Sequence, residues 1–305
     1  MPSIPKIIII PAVLVGSILA SFILTNWDNN NYNEQFFYGA KNNPPSVFKK
    51  ENTIDPLIKT SVQKLPGKYA IYIKNLNNQE VYGLNLDEKF PSASLYKLAV
   101  MYTTFEALDK GILKKDDLLS QSKVTLDKII EGNEQETQSP DSTETVSHTV
   151  EAALNLMITI SDNYSALLLA QKLGWQNIHN LMETQNLSGI DLTGQDSPSV
   201  TAQSTGDLLE RIYRNKAVNR QSSEEMKKLL FAQKVNDRIP KYLPDDIEVG
   251  HKTGELGLVR HDAGIVLGKQ NDYIFVILSD TLVPQDAVEN IAKIAKSIFE
   301  ELENQ

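Results

Sequence analysis

The order of the predicted elements indicates an α+β fold, in which a mostly antiparallel sheet is flanked by helices and carries an inserted all-helical lobe. Two alternating runs around Asn77-Asn78 are typical of a hairpin, and three more strand-like runs lie close together after residue 247. Between these two groups, apolar residues recur mainly at helical spacing. We therefore expect the last three strands to join the first hairpin in one sheet, with a cleft where the helical lobe meets it.

The individual elements follow from the local pattern. A helix is predicted over residues 54–65, where the apolar spacing is helical and Pro66-Gly67 ends it. Strands are predicted at 68–75 and 80–85, and a helix at 94–110 that ends at Gly111. Further helices are predicted at 150–160, 165–172, 175–184, 205–214 and 223–231. Strands at 248–252, 264–267 and 273–279 and an amphipathic helix at 285–302 complete the fold.

The stretch from 131 to 147 does not fit this scheme. It holds five acidic residues and no basic one, with little apolar content, so we predict a solvated loop. Metal binding is a weaker interpretation, because the stretch has no histidine and no regular spacing of aspartates.

The N-terminal part of the chain has the composition of a membrane anchor. Residues 7–24 are 18 consecutive uncharged and mostly apolar residues, which as a helix would span about 27 Å. Lys6 before them predicts an exported, extracytoplasmic body. We therefore expect an anchor or signal at 1–25, a polar tether at 26–53 and a folded domain at 54–305. A retained anchor is favoured, with secretion after signal cleavage as the alternative.

Composition excludes several classes of function. The net charge of −9 argues against a nucleic-acid partner, which would require a basic face. The chain has no cysteine, so it has neither a thiol nucleophile nor a thiolate metal site. No metal or other cofactor is expected, because the four histidines (His148, His179, His251 and His261) form no recognisable ligand pair. A Gly-x-Ser-x-Gly nucleophile turn is absent from the sequence as well.

Three short segments carry the groups needed for acyl transfer: Ser94-Leu95-Tyr96-Lys97, Ser161-Asp162-Asn163 and Lys252-Thr253-Gly254. The Ser-x-x-Lys spacing alone means little, because it occurs five times. Only the copy at Ser94 lies where a polar turn passes into an apolar helix. Lys97 lies one turn further on the same face, so a lysine with a lowered pKa could activate the Ser94 hydroxyl. The alternative is a purely structural role, in which Ser94 is an N-cap serine and Lys97 a surface lysine.

The other two segments offer complementary groups. In the functional interpretation, the Ser161 hydroxyl relays a proton to the leaving nitrogen, the Asn163 amide binds a substrate carbonyl, and Asp162 braces the loop. Each segment taken alone is more typical of a simple turn.

The third segment is predicted to lie at the end of a strand. Lys252 would supply a cation near Ser161, and it would bind a substrate carboxylate together with the Thr253 hydroxyl. Gly254 would let the substrate backbone lie against the strand, and the Glu255 N–H would serve as an oxyanion donor beside that of Ser94.

Together the three segments resemble those of the penicillin-recognising serine hydrolases, and most closely the class A β-lactamases, whose motifs are S-x-x-K, S-D-N and K-T-G. The likeness covers roughly residues 54–304. It implies a mixed α/β lobe with a helical lobe, and an acyl-enzyme formed on Ser94. A β-lactam or a related cell-wall D-amino acid peptide is the implied substrate. Arg260 could bind the substrate carboxylate, as an arginine on this strand does in many relatives, or could simply be a charge at the start of a strand.

One departure affects the second half of the reaction. The family's loop carries a Glu, in an E-x-x-L-N setting, that activates water to release the acyl group. The corresponding residues 187–198 here contain no Glu. Asp191, Asp196 and Glu183 are possible substitutes, but each is more typical of a loop carboxylate. Acylation followed by slow release is therefore expected, and a non-catalytic domain that binds wall peptides or β-lactams is the alternative.

Overall fold

The computed structural model describes residues 52–131, 144–193 and 198–305. The predicted anchor, nearly all of the tether and Asp196 lie outside these residues. Within the described ranges, no helix is long and apolar enough to cross a membrane.

Helices, strands and two short 3-10 turns alternate irregularly along the chain. The helices are α1 (Ile54–Val62), α2 (Tyr96–Asp109), α3 (Lys123–Glu131), α4 (Val150–Thr159), α5 (Asn163–Leu173), α6 (Trp175–Thr184), α7 (Ala202–Tyr213), α8 (Arg220–Phe231) and α9 (Pro284–Glu303). The strands are β1 (Lys68–Asn75), β2 (Val81–Leu84), β3 (Phe90–Pro91), β4 (Leu118–Ser122), β5 (Thr145–Thr149), β6 (Ser199–Val200), β7 (Glu248–Leu256), β8 (Val259–Leu267) and β9 (Asp272–Asp280). The 3-10 turns are Ala93–Leu95 and Ile239–Tyr242.

The main sheet has five antiparallel strands in the order β2-β1-β9-β8-β7. The predicted α+β fold is thereby confirmed: the last three strands join the first hairpin, and helices α2 to α8 are inserted between them. β9 is central and almost wholly buried, because helices cover both faces of the sheet. β7 is at the edge, so its outer side has no strand partner in this sheet.

Two apolar clusters hold the layers together. On one face, α9 packs through residues such as Ile291 and Ile298 against Phe275 of β9. On the other face, the sheet packs against the helical lobe, in which α2 is buried along nearly its whole length. Since α2 is enclosed by other helices, its residues are apolar on all sides rather than on one stripe. The segment that carries the predicted nucleophile is thus anchored in the middle of the core.

The structure corrects several predicted elements. The short sheets β4–β5 and β3–β6 and helix α3 were missed, because their sequences are short or mostly polar. The predicted loop at 131–147 was wrong at its ends: residue 131 closes α3, and β5 begins at Thr145. Residues 132–143 lie outside the described part of the chain.

The last strands are also longer than predicted. β7 runs to Leu256, so Lys252-Thr253-Gly254 lies inside the strand and not at its end. β8 begins at Val259, so Arg260 lies inside it and not before it. The polar side chains of β8 interrupt the apolar pattern that the prediction used, yet His261 and Asp262 are fully buried.

The contact between α7 and the sheet predicts an unusual response to a helical substitution. Alanine normally stabilises a helix by about 1 kcal/mol relative to glycine. A Cβ at Gly206, however, would lie 2.3 Å from Cε1 of the buried Tyr72 ring. We expect Gly206→Ala to lower the free energy of unfolding by about 1–3 kcal/mol, measured by urea denaturation. In a Tyr72→Leu background, Gly206→Ala should lower the free energy of unfolding by less than it does in the wild type. An increase in the free energy of unfolding with Gly206→Ala alone would contradict the close contact between Gly206 and Tyr72.

Candidate active site

Ser94 lies in the middle of the 3-10 turn Ala93–Leu95, which continues directly into α2. The α-helix therefore begins at Tyr96, two residues later than predicted. Ala93 has a φ of 43°, in the left-handed region that non-glycine residues rarely adopt. Ser94 is half-buried, and its hydroxyl makes no hydrogen bond within the described part of the chain. The Ser94 oxygen is thus left available for a substrate.

A buried histidine holds the strand that precedes this turn. His261 Nδ1 accepts a hydrogen bond from the backbone N–H of Ser279 at 3.2 Å. With Nδ1 accepting from Ser279, a neutral ring carries its proton on Nε2, which lies 2.8 Å from the carbonyl oxygen of Pro91. The carbonyl oxygen of Arg260 also lies 2.9 Å from Nδ1. Burial lowers the pKa of His261 to about 4. His261, which sequence reasoning did not assign to the site, joins β8 to the chain just before Ser94.

Lys97 is fully buried, and its ammonium group has three oxygen partners. Nζ lies 2.6 Å from the carbonyl oxygen of Ser161, 3.1 Å from the Ser161 hydroxyl and 2.7 Å from Oδ1 of Asn163. The structure thus brings together the first two predicted segments. Since Oδ1 of Asn163 faces Lys97, the two N–H groups of that amide remain for a substrate carbonyl.

Ser161 is held in a strained conformation between α4 and α5. Its φ is 60°, again in the left-handed region. Asp162 Oδ1 accepts a hydrogen bond from the N–H of Ser165 at 2.7 Å and caps α5. Asp162 therefore braces the loop, as the functional interpretation requires.

Lys252 reaches the same hydroxyl from the opposite side. Its Nζ lies 3.0 Å from Oγ of Ser161 and 2.8 Å from the carbonyl oxygen of Thr253. The Ser161 hydroxyl consequently lies between two lysine side chains that are both fully buried. All three segments predicted from the sequence meet at this one oxygen atom.

The burial of these two lysines changes their proton affinity. Desolvation lowers the pKa of Lys97 to about 8, although the nearby Asp162 carboxylate partly opposes the shift. Desolvation also lowers the pKa of Lys252 well below its usual range, and repulsion from Lys97 and Arg238 adds to the effect. A neutral amine next to Ser161 is thus accessible near physiological pH.

The remaining residues of the third segment lie along the edge strand β7. Thr253 is buried, but its hydroxyl has no hydrogen-bond partner within the described residues. A Cβ at Gly254 would lie 3.1 Å from His261 Cβ and 3.3 Å from Leu95 Cγ. Packing against the nucleophile turn therefore restricts this position, a reason the sequence did not reveal. The proposed roles of the Gly254 backbone and of the Glu255 N–H towards a substrate stay predictions.

Arg260 is the second residue of β8 and lies directly opposite Glu255. Its guanidinium group donates to the carbonyl oxygens of Gly257 and Val259 and pairs with Oε1 of Glu255 at 3.2 Å. A second arginine, Arg238, was missed in the sequence because it follows no motif. It is almost completely buried and pairs with Oε2 of Glu255 at 2.8 Å.

Two of the suggested substitutes for the missing Glu, Asp191 and Glu183, lie in the described residues and do not contact these groups, whereas Asp196 lies outside them. Asp191 forms an ion pair with Lys89 at 3.4 Å, its Oδ1 lies 3.6 Å from Nδ1 of His179, and it accepts the N–H of Thr193. Glu183 is exposed on α6. Within the described ranges, no group of three or more His, Cys, Asp or Glu residues is arranged to hold a metal ion.

Comparison with known proteins gives a consistent result. Residues 51–302 match the model of the beta-lactamase enzyme family, and the chain therefore belongs to this family. No curated protein matches it in sequence.

Solved structures share the fold at low sequence identity. PBP-A superposes with a TM-score of 0.73 at 19% identity, covering 83% of this chain and 97% of PBP-A. A β-lactamase from Sphaerobacter thermophilus gives 0.71 at 18% identity, covering 83% and 97%. A point mutant of PBP-A, solved as an acyl-enzyme complex with penicillin G, also gives 0.71 at 18% identity and covers 82% and 96%.

The buried, neutral His261 predicts a specific loss of stability in acid. Its pKa in the folded state lies below the unfolded value, so the unfolded chain binds the proton more tightly. The contribution is fully present above about pH 6.5 and is lost as the pH falls towards 4. Between pH 7 and pH 5, the wild type should lose about 2 kcal/mol more unfolding free energy than His261→Gln. If urea denaturation shows that the wild type and His261→Gln lose the same unfolding free energy between pH 7 and pH 5, a neutral His261 is contradicted.

Proposed function

We propose that the chain is an exported serine hydrolase that forms an acyl-enzyme on Ser94 with β-lactams or related cell-wall D-amino acid peptides. The observation that carries this proposal is the placement of Lys97 and Lys252 at 3.1 and 3.0 Å from the Ser161 hydroxyl, close to the nucleophile turn. Family membership and the fold support a serine hydrolase. Export is inferred from the apolar N-terminal segment of the sequence.

Acylation begins with loss of the Ser94 proton. With a pKa of about 8, roughly one Lys97 in ten is neutral at pH 7, compared with fewer than one in a thousand for an ordinary lysine. The neutral amine accepts the proton while the Ser94 oxygen attacks the carbonyl carbon. The negative charge that develops on the carbonyl oxygen is stabilised by the backbone N–H groups of Ser94 and Glu255.

Collapse of this intermediate requires a proton on the leaving nitrogen. The Ser161 hydroxyl donates its proton to that nitrogen and receives one from the Lys97 ammonium group. Lys252, on the other side, donates a hydrogen bond to the Ser161 oxygen and holds it in place during the transfer. The Ser94 proton thus ends on the leaving group, Lys97 becomes neutral again, and the C–N bond is replaced by the Ser94 ester.

Release of the acyl group requires a water molecule and a base. Asp191 is engaged by Lys89 and by the Thr193 N–H, and Glu183 faces solvent. Because residues 187–198 contain no Glu and neither of these two carboxylates contacts the site, the enzyme is expected to deacylate slowly after reaction with β-lactams. A peptidase that cleaves cell-wall D-amino acid peptides would use the same acylating groups.

Covalent labelling tests the acylation step. We expect a fluorescent penicillin to label the wild-type protein and to stay attached, with turnover of a chromogenic cephalosporin well below about 10 per second. Ser94→Ala should abolish the label. Ser120→Ala is the matched control, since Ser120 has the same spacing to a lysine, Lys123, but lies in β4. Labelling of Ser94→Ala, or rapid turnover by the wild type, would contradict the proposal.

The lowered pKa of Lys97 predicts the pH dependence of acylation. Below about pH 8 the second-order rate constant for labelling should rise close to tenfold per pH unit, and above it the rate should level off. The rise follows the fraction of Lys97 that is neutral. The Lys97→Arg variant keeps the positive charge, but its guanidinium group cannot lose a proton, so we expect no labelling. Cooperative unfolding of this variant would verify that it is folded. A rate constant independent of pH between 6 and 9 would show that Lys97 is not the base.

A further inference from the structure

Two arginine side chains converge on Glu255, the residue that directly follows Lys252-Thr253-Gly254. Arg238 Nη2 lies 2.8 Å from Oε2 and Arg260 Nη2 lies 3.2 Å from Oε1, so each carboxylate oxygen of Glu255 has its own guanidinium partner. Glu255 thereby bridges β7, β8 and the segment that precedes the turn Ile239–Tyr242.

The two sides of this contact differ strongly in exposure. The Arg238 side chain is 1% exposed, whereas the Glu255 side chain is 59% exposed. Arg238 is also paired with Asp237 through Nη1, and its buried Nε has no hydrogen-bond partner within the described residues. The guanidinium group is therefore held inside the protein, while one of its two carboxylate partners, that of Glu255, can move into solvent.

This contact borders the candidate active site. Side chains alternate along a strand, so Glu255 projects from the same face of β7 as Thr253, whose hydroxyl is available. The guanidinium group of Arg238 is close enough to Lys252 to contribute to its lowered pKa. A substrate carboxylate lying beside Thr253 would need these same cations, because a planar carboxylate binds a guanidinium group best through paired hydrogen bonds.

We propose that Glu255 is a specificity-determining residue that occupies the place of a substrate carboxylate. The Glu255 carboxylate is paired with Arg238 and Arg260. An anionic substrate must therefore displace this carboxylate and is repelled by its negative charge. Substrates that are neutral at this position, such as amides or esters, are not repelled by Glu255 and do not need to displace it. The inference rests on the proposed function and refines it: acylation of Ser94 should favour acyl donors without a carboxylate next to the scissile bond.

Two probes and two variants test this proposal. The probes are benzylpenicillin and its methyl ester, which differ only in the charge of the carboxyl group. The measured quantity is the ratio of their acylation rate constants at Ser94, followed by intact-protein mass spectrometry. In Glu255→Gln this ratio should shift towards the carboxylate form by about tenfold or more, which corresponds to the loss of one charge-assisted contact. Glu255→Ala should shift it in the same direction.

Glu248→Gln is the matched control, because it removes an exposed carboxylate from the other end of the same strand. Its ratio should equal that of the wild type. A ratio unchanged in both Glu255 variants, while adducts still form on Ser94, would overturn this inference and leave the proposed function standing. Absence of an adduct on Ser94 with both probes in all of these proteins would overturn the proposed function and this inference with it. Melting temperatures of the variants verify that each is folded.

Discussion

Two buried lysines share one serine hydroxyl, and the chemistry of the site depends on this contact. Lys97 and Lys252 approach Oγ of Ser161 at 3.1 and 3.0 Å. Two ammonium groups this close to one oxygen repel each other, and burial deprives both of water. The least costly relief is for one lysine to lose its proton. An amine that can accept a proton near neutral pH thus arises from burial and from repulsion between the two lysines.

The fold supplies the rigidity that such a contact requires. Ser94 and Lys97 belong to a turn and helix enclosed by the core, Ser161 to a capped loop between helices, and Lys252 to the edge of the sheet. Left-handed backbone at Ala93 and Ser161 persists only because the surrounding structure fixes it. His261 adds a direct link, since its ring joins the sheet to the chain just before the nucleophile.

Sequence reasoning was most successful where residue type and function coincide. The fold class follows from the order of elements, and Ser94, Lys97, Ser161 and Lys252 stand in three recognisable segments that the structure brings together. Arg238 and His261 were missed, because a lone arginine or histidine in a polar run forms no sequence pattern. Their position next to the site is recognised only from their burial and their hydrogen-bond or ion-pair partners in the structure. The same burial explains why β7 and β8 were predicted too short: polar residues inside a core interrupt apolar periodicity.

The groups proposed for acylation meet in one site, whereas the described carboxylates suggested for release, Asp191 and Glu183, do not contact that site. The proposed acylation requires Lys97 to be neutral in a substantial fraction of molecules near pH 8. NMR titration of 15N-labelled lysine side chains measures this directly, with the Lys97 resonance assigned by its loss in Lys97→Arg. The account predicts a pKa of about 8 for Lys97. A value at or above the ordinary lysine pKa of about 10.4 would contradict it.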